Sequence, residues 1–453
     1  MDVLATSASA VTSGGSSEHS PLWQADPYGI AKTLEENGLR RAFLITDADG
    51  ALRPSHPALE ALAADITACP DFRHHQAIFL EIGRESDHLL GAFLYSTHRG
   101  QGAGGVRYWN YRQAADFLRD GLRLSLGMGH KNALAGLWWG GGKGVIARRP
   151  DVDRHDPAVR DAVFADYGRF ISSLRGLYIT AEDVGTTPED MARIFAKTRY
   201  ITCVPPEVGG SGNPSVLTAH GVVVAMEAAL EHLGSGSLEG KTVAMQGLGN
   251  VASYMIGNLL ERGVARIVGS DIDPRPIETV RQRFADAPLE LRVSDRSDMS
   301  ILAEACDIVA PNAIGGTLNP ETIPNIQAPI VCGAANNQLA VTQRDGRALR
   351  ERGILYVPDF LGNRMGIVNC ANEQYGAIGS DPAITRHLKR DTPYGIFQRA
   401  LEVFRRAEVS GLSTAEEAEA LADELSYEKH PIWPDRGQQI LNHLVVSEWD
   451  RQG

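Results

Sequence analysis

Cysteine is scarce in this chain of 453 residues, and the few cysteines do not cluster. There are five, with no CxxC pair and no group that combines cysteine with histidine: Cys69, Cys203, Cys306, Cys332 and Cys370. A structural zinc site is therefore not expected, and we predict no metal. An odd, dispersed set of cysteines is typical of reduced thiols, so we predict a cytoplasmic protein.

The sequence also lacks long hydrophobic runs and an excess of positive charge. No run reaches the roughly 18 apolar residues that a membrane helix needs, so we predict no membrane span. The net charge of −12 argues against a nucleic acid or an anionic membrane as the main partner. Residues 1–20 are rich in Ser, Ala and Gly without a basic or apolar signal region, which predicts a disordered tail.

What remains is the composition of an ordinary globular protein of two or three domains, with 43% hydrophobic residues. Two strand-like runs over 76–96, HQAIFLEI and HLLGAFLYST, are joined by the polar GRESD, which predicts a β-hairpin. Helical spacing recurs from 111 onward and over 156–174, 218–233, 393–409 and 414–426. The sequence thus predicts a mixed α/β fold.

The most unusual stretch is 131–146, which reads KNALAGLWWGGGKGVI. Lys131 and Lys143 bracket an apolar run and three glycines. A buried ammonium is costly unless it finds an anion or loses its proton, and both outcomes are useful in catalysis. This stretch is therefore a candidate site, with two solvated surface lysines as the alternative.

A candidate anion lies further along, in YITAEDVGTTPEDMARIF at 178–195. Thr187 followed by Pro188 predicts a helix start. Glu182 and Asp183 then lie in a loop between a strand and that helix, a place suited to catalysis, although an exposed loop acid is the common case. Glycines crowd the segment 97–111 as well, which indicates either a close approach to a ligand or a flexible loop.

A dinucleotide-binding motif follows at 241–273. A strand leads into Gly247-x-Gly249-x-x-Ala252, a helix, a second strand and Asp271. Glycines in this context let the backbone approach a pyrophosphate, and the acid binds ribose hydroxyls. Asp271 favours NAD because it would repel a 2′-phosphate, while Arg275 leaves NADP open. Further apolar runs at 306–311, 329–339 and 353–363 predict parallel strands.

Five blocks of sequence resemble the glutamate/leucine/phenylalanine/valine dehydrogenase family, most of all its leucine/phenylalanine/valine branch. They occur in the family's order: GAGGVRYWNY, GMGHKNALAGLWWGGGKGVI, YITAEDVGTT, GSGNPSVLTAHGV with GLGNVA, and CGAANNQL with PDFLGN. The resemblance implies an α/β fold in which a catalytic domain and a Rossmann domain enclose a cleft. It also implies reversible, NAD-dependent oxidative deamination of an L-amino acid to its 2-oxo acid and ammonia, in a homo-oligomer.

The resemblance further implies domain bounds and residue roles. The expected segments are a catalytic and oligomerisation domain at 21–212, a Rossmann domain at 213–362, and helices returning to the catalytic domain at 363–453. Lys143 would act as general base and Asp183 as proton shuttle. The substrate would be held by Lys131, Gly104, Gly105 and Met128. NAD would be held by Gly247, Gly249, Asn250, Val251, Asp271, Thr218, Ala313 and Asn336.

The implied chemistry agrees with the residues themselves. A substrate carboxylate needs a fixed cation, and water attack on an iminium needs a base that is neutral near pH 7. A lysine with an ordinary pKa of about 10.4 must therefore lose several pKa units through burial and a neighbouring cation. We expect Lys131 to exert this effect on Lys143.

Two departures from the family pattern bear on the substrate. Ala103 stands where the glutamate branch has a lysine, which makes glutamate less favoured than an apolar amino acid. Arg364 and Met365 stand where the family has Ala-Gly. One interpretation is that Met365 fills space opened by Ala103; another is that Arg364 meets an anionic substrate group. The alternatives to a branched-chain or aromatic substrate are an unusual amino acid of specialised metabolism, or a silent NAD-binding sensor.

Overall fold

The computed structural model describes residues 19–376, 378 and 380–452. The predicted disordered tail lies outside these residues except for His19 and Ser20, and Ser20 caps the first helix. None of the helices within the described residues combines the length and the apolar character that a membrane crossing needs.

The first half of the chain forms a mixed eight-stranded sheet. Its strands are β1 (Arg41–Thr46), β2 (Leu52–Pro54), β3 (Ala77–Ile82), β4 (Leu89–Ser96), β5 (Gly102–Ala103), β6 (Val106–Trp109), β7 (Gly140–Ala147) and β8 (Tyr178–Ile179). The order is β2-β1-β3-β4-β7-β5-β8, and β6 also pairs with β7. The predicted hairpin is confirmed as the antiparallel pair of β3 and β4. The helices of this half are α1 (Pro21–Gln24), α2 (Tyr28–Glu36), α3 (Glu60–Ala68), α4 (Ala114–Leu134), α5 (Pro157–Ser173) and α6 (Pro188–Phe195).

The glycine-rich segments are strands rather than flexible loops. The sequence predicts a strand only from Lys143, but β7 begins at Gly140. The segment 97–111, for which a flexible loop was the alternative, contains β5 and β6. A Cβ at Gly140 would lie 1.9 Å from the carbonyl oxygen of Ser96, so only glycine permits this approach. The glycines therefore serve dense packing of strands around Lys143.

The second sheet is entirely parallel. Its strands are β9 (Thr242–Gln246), β10 (Arg266–Asp271), β11 (Leu289–Val293), β12 (Ile308–Pro311), β13 (Ile330–Val331) and β14 (Leu355–Tyr356), in the order β11-β10-β9-β12-β13-β14. Its helices are α7 (Ser215–His232), α8 (Asn250–Glu261), α9 (Pro274–Arg283) and α10 (Thr342–Glu351). The predicted βαβ unit is confirmed as β9, α8 and β10. Strands β13 and β14 are shorter than the apolar runs suggested, because the chain turns away at Cys332 and Val357.

The topology of this sheet marks a ligand site. Strand β9 lies between β10 and β12, so the order of the strands reverses at β9: β10 and β11 lie on one side of it, and β12, β13 and β14 on the other. In open α/β sheets such a switch point opens a crevice at the carboxyl ends of the strands. Gly247 and Asn312 follow β9 and β12 at this crevice.

The last helices connect the two sheets. They are α11 (Asp359–Gly362), α12 (Met365–Glu373), α13 (Pro382–Thr385), α14 (Ile396–Ser410), α15 (Thr414–Ser426) and α16 (Arg436–Val446). Helix α14 packs on α7, whereas α15 contacts both α4 and α10. Leu441, Leu444 and Trp449 then join the core beneath the first sheet. The end of the chain thus completes a core begun near residue 77.

Candidate active site

The centre of the site is an ion pair between Lys143 and Asp183. Strand β7 carries Lys143, whose residue surface is only 3% exposed. Asp183 follows β8 in the loop that precedes α6. Thr187 is the N-cap of α6, at the helix start expected from the sequence, and it forms a capping box with Asp190. Nζ of Lys143 donates to Oδ2 of Asp183 at 2.8 Å. The structure thus brings together two of the residues that the sequence singled out.

A second cation holds the same carboxylate. Nε of Arg107 donates to Oδ2 of Asp183 at 3.2 Å. Nη1 of Arg107 lies 3.0 Å from both carboxylate oxygens of Asp120, which also accepts from the Tyr111 hydroxyl at 2.5 Å. Arg107 therefore links the active-site carboxylate to a second acid on α4.

These contacts determine the proton affinity of Asp183. Burial raises the pKa of its carboxyl, but the charges of Lys143 and Arg107 outweigh burial and lower the pKa to about 2. Asp183 is thus an anion at neutral pH, and it takes up a proton only when its contacts with these cations weaken.

Lys131 faces the first ion pair from the last turn of α4. Nζ of Lys131 lies 3.3 Å from Oδ1 of Asn336, which also accepts from Nδ2 of Asn363 at 2.8 Å. Asn336 follows β13, so this contact joins the two sheets across the cleft. The neighbouring Asn132 fixes α4 by donating to the carbonyl of Gly140 at 2.7 Å.

Asp359 supplies a further negative charge near Lys131. Burial lowers the pKa of the Lys131 ammonium; Asp359 opposes this effect and Lys143 adds to it. In turn, burial raises the pKa of Asp359, and Lys131 opposes that rise. The cleft thus contains two lysines and two carboxylates that are buried or half-buried, so their electrostatic interactions are stronger than in water.

Gly104 and Gly105 bring the strands close to this cluster. A Cβ on Gly104 would lie 2.8 Å from Cγ of Met128, and one on Gly105 would lie 2.5 Å from the Glu182 carbonyl oxygen. Both glycines and Met128 therefore border the cleft between Lys131 and Asp183.

Replacing Gly105 by alanine tests this packing. The new methyl group would also approach Cβ of Asp183 to 2.8 Å, so the carboxylate must move. We expect Gly105→Ala to lower the free energy of unfolding by about 1–3 kcal/mol, as overpacking does. Chemical denaturation measures the change. Gly127→Ala is the matched control, because its Cβ would meet nothing within 4 Å in an exposed part of α4; equal loss in both variants would contradict the explanation.

The predicted dinucleotide loop lies at the switch point of the second sheet. Gly247 has a φ of +88°, and its Cβ would lie 2.7 Å from Cβ of Ala313. Gly249 is the N-cap of α8, and a Cβ there would meet no protein atom within 4 Å. Helix α8 begins with Asn250 and Val251, so its amide groups point into this open space. The loop fits a pyrophosphate.

Asp271 organises the same loop from the end of β10. Its Oδ2 accepts from the amide of Leu248 at 2.7 Å, and its Oδ1 accepts from the amide of Asp273 at 2.9 Å. Each oxygen keeps a further lone pair for a ribose hydroxyl. Thr218, in the first turn of α7, donates to the Pro214 carbonyl oxygen and lies beside Gly366.

An apolar wall borders the cleft on the side of Ala103. We define this apolar wall as the buried cluster of Ala103, Trp139, Ile179, Ile367, Cys370 and Ala371, with Met128, Leu137 and Cys203 packed against it. Met365 is not part of it. Its Cγ would lie 2.7 Å from a Cβ at Gly221 of α7, so the interpretation that Met365 fills the space beside Ala103 is wrong. Ile367 and Cys370, further along α12, take that place.

The second interpretation of this segment is also wrong. Arg364 is fully buried and donates to the backbone carbonyls of Leu134 and Tyr394, not into the cleft. It therefore stabilises the C-terminal end of α4, which carries Lys131, and is not placed to meet an anionic substrate group. This removes the observation that motivated a silent sensor.

Sequence reasoning missed several residues of the site. Asp359 and Asn363 lie just after β14, and their position at the carboxyl end of a parallel strand was a usable signal. Arg107 and Asp120 had no such signal, because their contacts depend on how α4 packs against β6. Within the described residues, no three His, Cys, Asp or Glu side chains are grouped to hold a metal ion.

Two family models match the chain. The model described as Glu/Leu/Phe/Val dehydrogenase, dimerisation domain, matches residues 88–200. The model described as Glutamate/Leucine/Phenylalanine/Valine dehydrogenase matches residues 209–273 and 277–421. The first match covers Arg107, Lys131, Lys143 and Asp183, and the second covers the dinucleotide loop.

Individual relatives agree. Leucine dehydrogenase of Bacillus subtilis (strain 168) is 41% identical over 333 residues, covering 73% of this chain and 85% of the relative. Valine dehydrogenase of Streptomyces coelicolor is 37% identical over 358 residues, covering 79% of this chain and 93% of the relative. The crystal structure of L-tryptophan dehydrogenase from Nostoc punctiforme has a TM-score of 0.64 at 32% identity, covering 81% of this chain and 97% of that one. The chain belongs to the glutamate/leucine/phenylalanine/valine dehydrogenase family.

Proposed function

We propose that this enzyme catalyses the reversible, NAD-dependent oxidative deamination of an L-amino acid with a branched-chain or aromatic side chain. The observation that carries the proposal is the grouping of Lys131, Lys143 and Asp183 in one cleft opposite the dinucleotide loop. Membership of a dehydrogenase family supports the reaction class. The names of the relatives, leucine, valine and tryptophan dehydrogenase, support the substrate class.

The choice of NAD rests on the end of β10. The backbone around Gly247, Gly249, Asn250 and Val251 would hold the pyrophosphate, and Asp271 would bind the ribose. A 2′-phosphate would be repelled there, and the nearby Arg275 is engaged: its Nε lies 2.9 Å from Oδ2 of Asp273. Bound NAD supplies the hydride acceptor. Thr218, Ala313 and Asn336 lie towards its nicotinamide end in this proposal.

Each polar residue of the cleft has one task. Lys131 binds the substrate carboxylate, with Gly104, Gly105 and Met128 shaping the same side. Asp183 holds and releases the proton of the substrate nitrogen. Lys143 removes a proton from the water that attacks the iminium carbon. As substrate enters, contacts between Asp183 and the lysine weaken, and the carboxylate gains proton affinity.

The apolar wall selects the side chain. Ala103, Ile179 and Ile367 offer no cation to a second carboxylate, so glutamate would bury an unpaired charge. An unusual amino acid with an apolar side chain fits the same wall.

The remaining predictions complete the proposal. Residues 21–212 would form the catalytic and oligomerisation domain, 213–362 the Rossmann domain, and 363–453 the returning helices. The enzyme would work as a homo-oligomer in the cytoplasm, a compartment that suits its five free thiols. Its partners would be amino acid, 2-oxo acid and ammonia, not nucleic acid or membrane.

A substrate panel tests the function. Reduced cofactor is measured with L-leucine, L-valine, L-phenylalanine, L-tryptophan and L-glutamate, each with NAD and NADP. We expect kcat/KM for the best apolar substrate to exceed that for glutamate by about 10²-fold or more, because glutamate leaves a charge unpaired. A preference for glutamate would contradict the assignment of the wall. Cofactor binding without turnover in either direction would favour a sensor.

A further inference from the structure

Two cysteines that are distant in the sequence meet at the apolar wall. Sγ of Cys203 lies 2.8 Å from Sγ of Cys370, although 167 residues separate them. Both are free thiols. The other three cysteines belong to different cores: Cys69 to one face of the first sheet, and Cys306 and Cys332 to the two faces of the second. The pair is therefore a local feature of the site.

The backbone of Cys203 is unusual for a cysteine. Its φ is +63°, in the left-handed region that glycine adopts most easily. A non-glycine residue there carries strain of about 1–3 kcal/mol. Glycine at this position would relieve that strain.

The two cysteines lie on elements that are already joined by hydrogen bonds. Cys203 follows Ile201, which extends the first sheet by a bridge to Thr180. Cys370 lies on α12, which follows the second sheet. One turn further along α12, Glu373 accepts from the amide of Cys203 at 3.0 Å and from the hydroxyl of Ser211 at 2.6 Å. A covalent bond here would fasten α12 to the edge of the first sheet.

We propose that Cys203 and Cys370 form a reversible disulfide that inactivates the enzyme by locking α12 onto the first sheet. An S–S bond of about 2.0 Å requires a further approach of only about 0.8 Å. The identity of the apolar wall as the substrate pocket rests on the proposed function; the disulfide itself does not. In this proposal the disulfide holds the two sheets together, and turnover falls because the cleft between them no longer opens to exchange substrate and product.

The oxidant is a low-molecular-weight disulfide, RSSR. The half-buried Cys203 loses its proton and attacks one sulfur, forming a mixed disulfide and releasing RS⁻. The Cys370 sulfur then loses its proton, attacks Sγ of Cys203 and displaces the second RS⁻. The two released protons convert both RS⁻ to RSH, so two cysteines are oxidised by two electrons and RSSR is reduced.

The environment orders these two steps. Hydrogen bonding to Cys203, followed by burial, raises the pKa of Cys370 well above its ordinary value. Cys370 is therefore protonated and shielded until Cys203 has reacted. Cys370 then acts as the resolving thiol: it attacks the mixed disulfide on the neighbouring Cys203 and completes the bond between the two cysteines.

The test titrates the full-length enzyme with oxidised glutathione and then adds dithiothreitol. Intact mass and a peptide map taken without reduction report the bond, and amino acid turnover reports its effect. Cys203→Gly and Cys370→Ala each remove one partner, and the glycine also relieves the strained backbone. Cys306→Ser is the matched control, because Cys306 is half-buried like Cys203 but lies just before β12 of the second sheet.

The expected result is a peptide linked through Cys203 and Cys370, a loss of turnover of about tenfold or more, and recovery with dithiothreitol. The Cys306→Ser control should respond to oxidation as the wild-type enzyme does. In Cys203→Gly and Cys370→Ala, the activity after oxidation should be nearly equal to the activity after reduction. Absence of the linked peptide, or glutathione adducts alone, would overturn the disulfide. A linked peptide with unchanged turnover would overturn the lock. Because mass is read without turnover, a failure of the proposed function gives a different outcome.

Discussion

We expect Lys143→Ala to lower the turnover of L-amino acid by about 10³-fold or more while NAD binding is unchanged. General base catalysis by a positioned side chain is worth about 10²–10⁴-fold. Lys143 also contacts Asp183 directly from β7. The dinucleotide loop is built from the second sheet and does not depend on this residue.

The variant should fold. Asp183 keeps its contact with Nε of Arg107 at 3.2 Å, so no carboxylate is left without a cation. Steady-state turnover and fluorescence titration with NADH measure the two effects separately. Lys241→Ala is the matched control, because Lys241 is half-buried and is also paired with an acid, at 3.4 Å to Asp307, but lies at the amino end of β9. Wild-type turnover in Lys143→Ala would remove the proposed base.

Replacing Arg107 by methionine should have the second-largest effect. The carboxylates of Asp183 and Asp120 would then face each other without the cation between them. We expect kcat/KM to fall by about 10²-fold, because a misplaced catalytic group loses that much. Arg107→Lys should recover part of the loss, since an ammonium keeps the charge but not the two-sided geometry.

The same change should alter acid stability. The folded pKa of Asp183 is about 2, below the unfolded value of about 3.9, so its stabilising effect is present above pH ~4 and is lost as pH falls towards 2. The lowered pKa of Asp183 contributes roughly 2 kcal/mol to the free energy of unfolding at neutral pH. Without Arg107 the folded pKa rises, part of this contribution is lost, and acid unfolding begins at a higher pH. Circular dichroism over an acid titration measures the midpoint. Arg119→Met, which removes a surface ion pair with Asp71, should leave the midpoint of acid unfolding unchanged. An equal shift of the midpoint in both variants would contradict the role of Arg107.

The sequence predicts the position of a residue well wherever that position depends on the residue's own element. Gly247, Gly249 and Asp271 belong to one βαβ unit, so their arrangement follows from local geometry. Lys143 and Asp183 lie on segments whose strand and helix signals are clear. The structure agrees with these predictions because short-range rules determine the positions.

The sequence fails where two distant elements must pack. Met365 and Arg364 were expected to border the substrate, yet both point away, since α12 turns them towards α7 and the end of α4. The meeting of Cys203 with Cys370 has no local signal either. Helix rotation and inter-sheet packing decide such contacts, and one sequence contains little information on either.

The position of Trp449 has a consequence for how the protein is made. It packs at right angles against Phe79, with ring centres 5.2 Å apart, and Leu441 and Leu444 lie in the same core. During synthesis the strand that carries Phe79 leaves the ribosome more than three hundred residues before its partner. The second sheet, whose strands are contiguous in the chain, can fold while translation continues. The first sheet is therefore synthesised before the second sheet, but its core is completed after it, when Leu441, Leu444 and Trp449 become available.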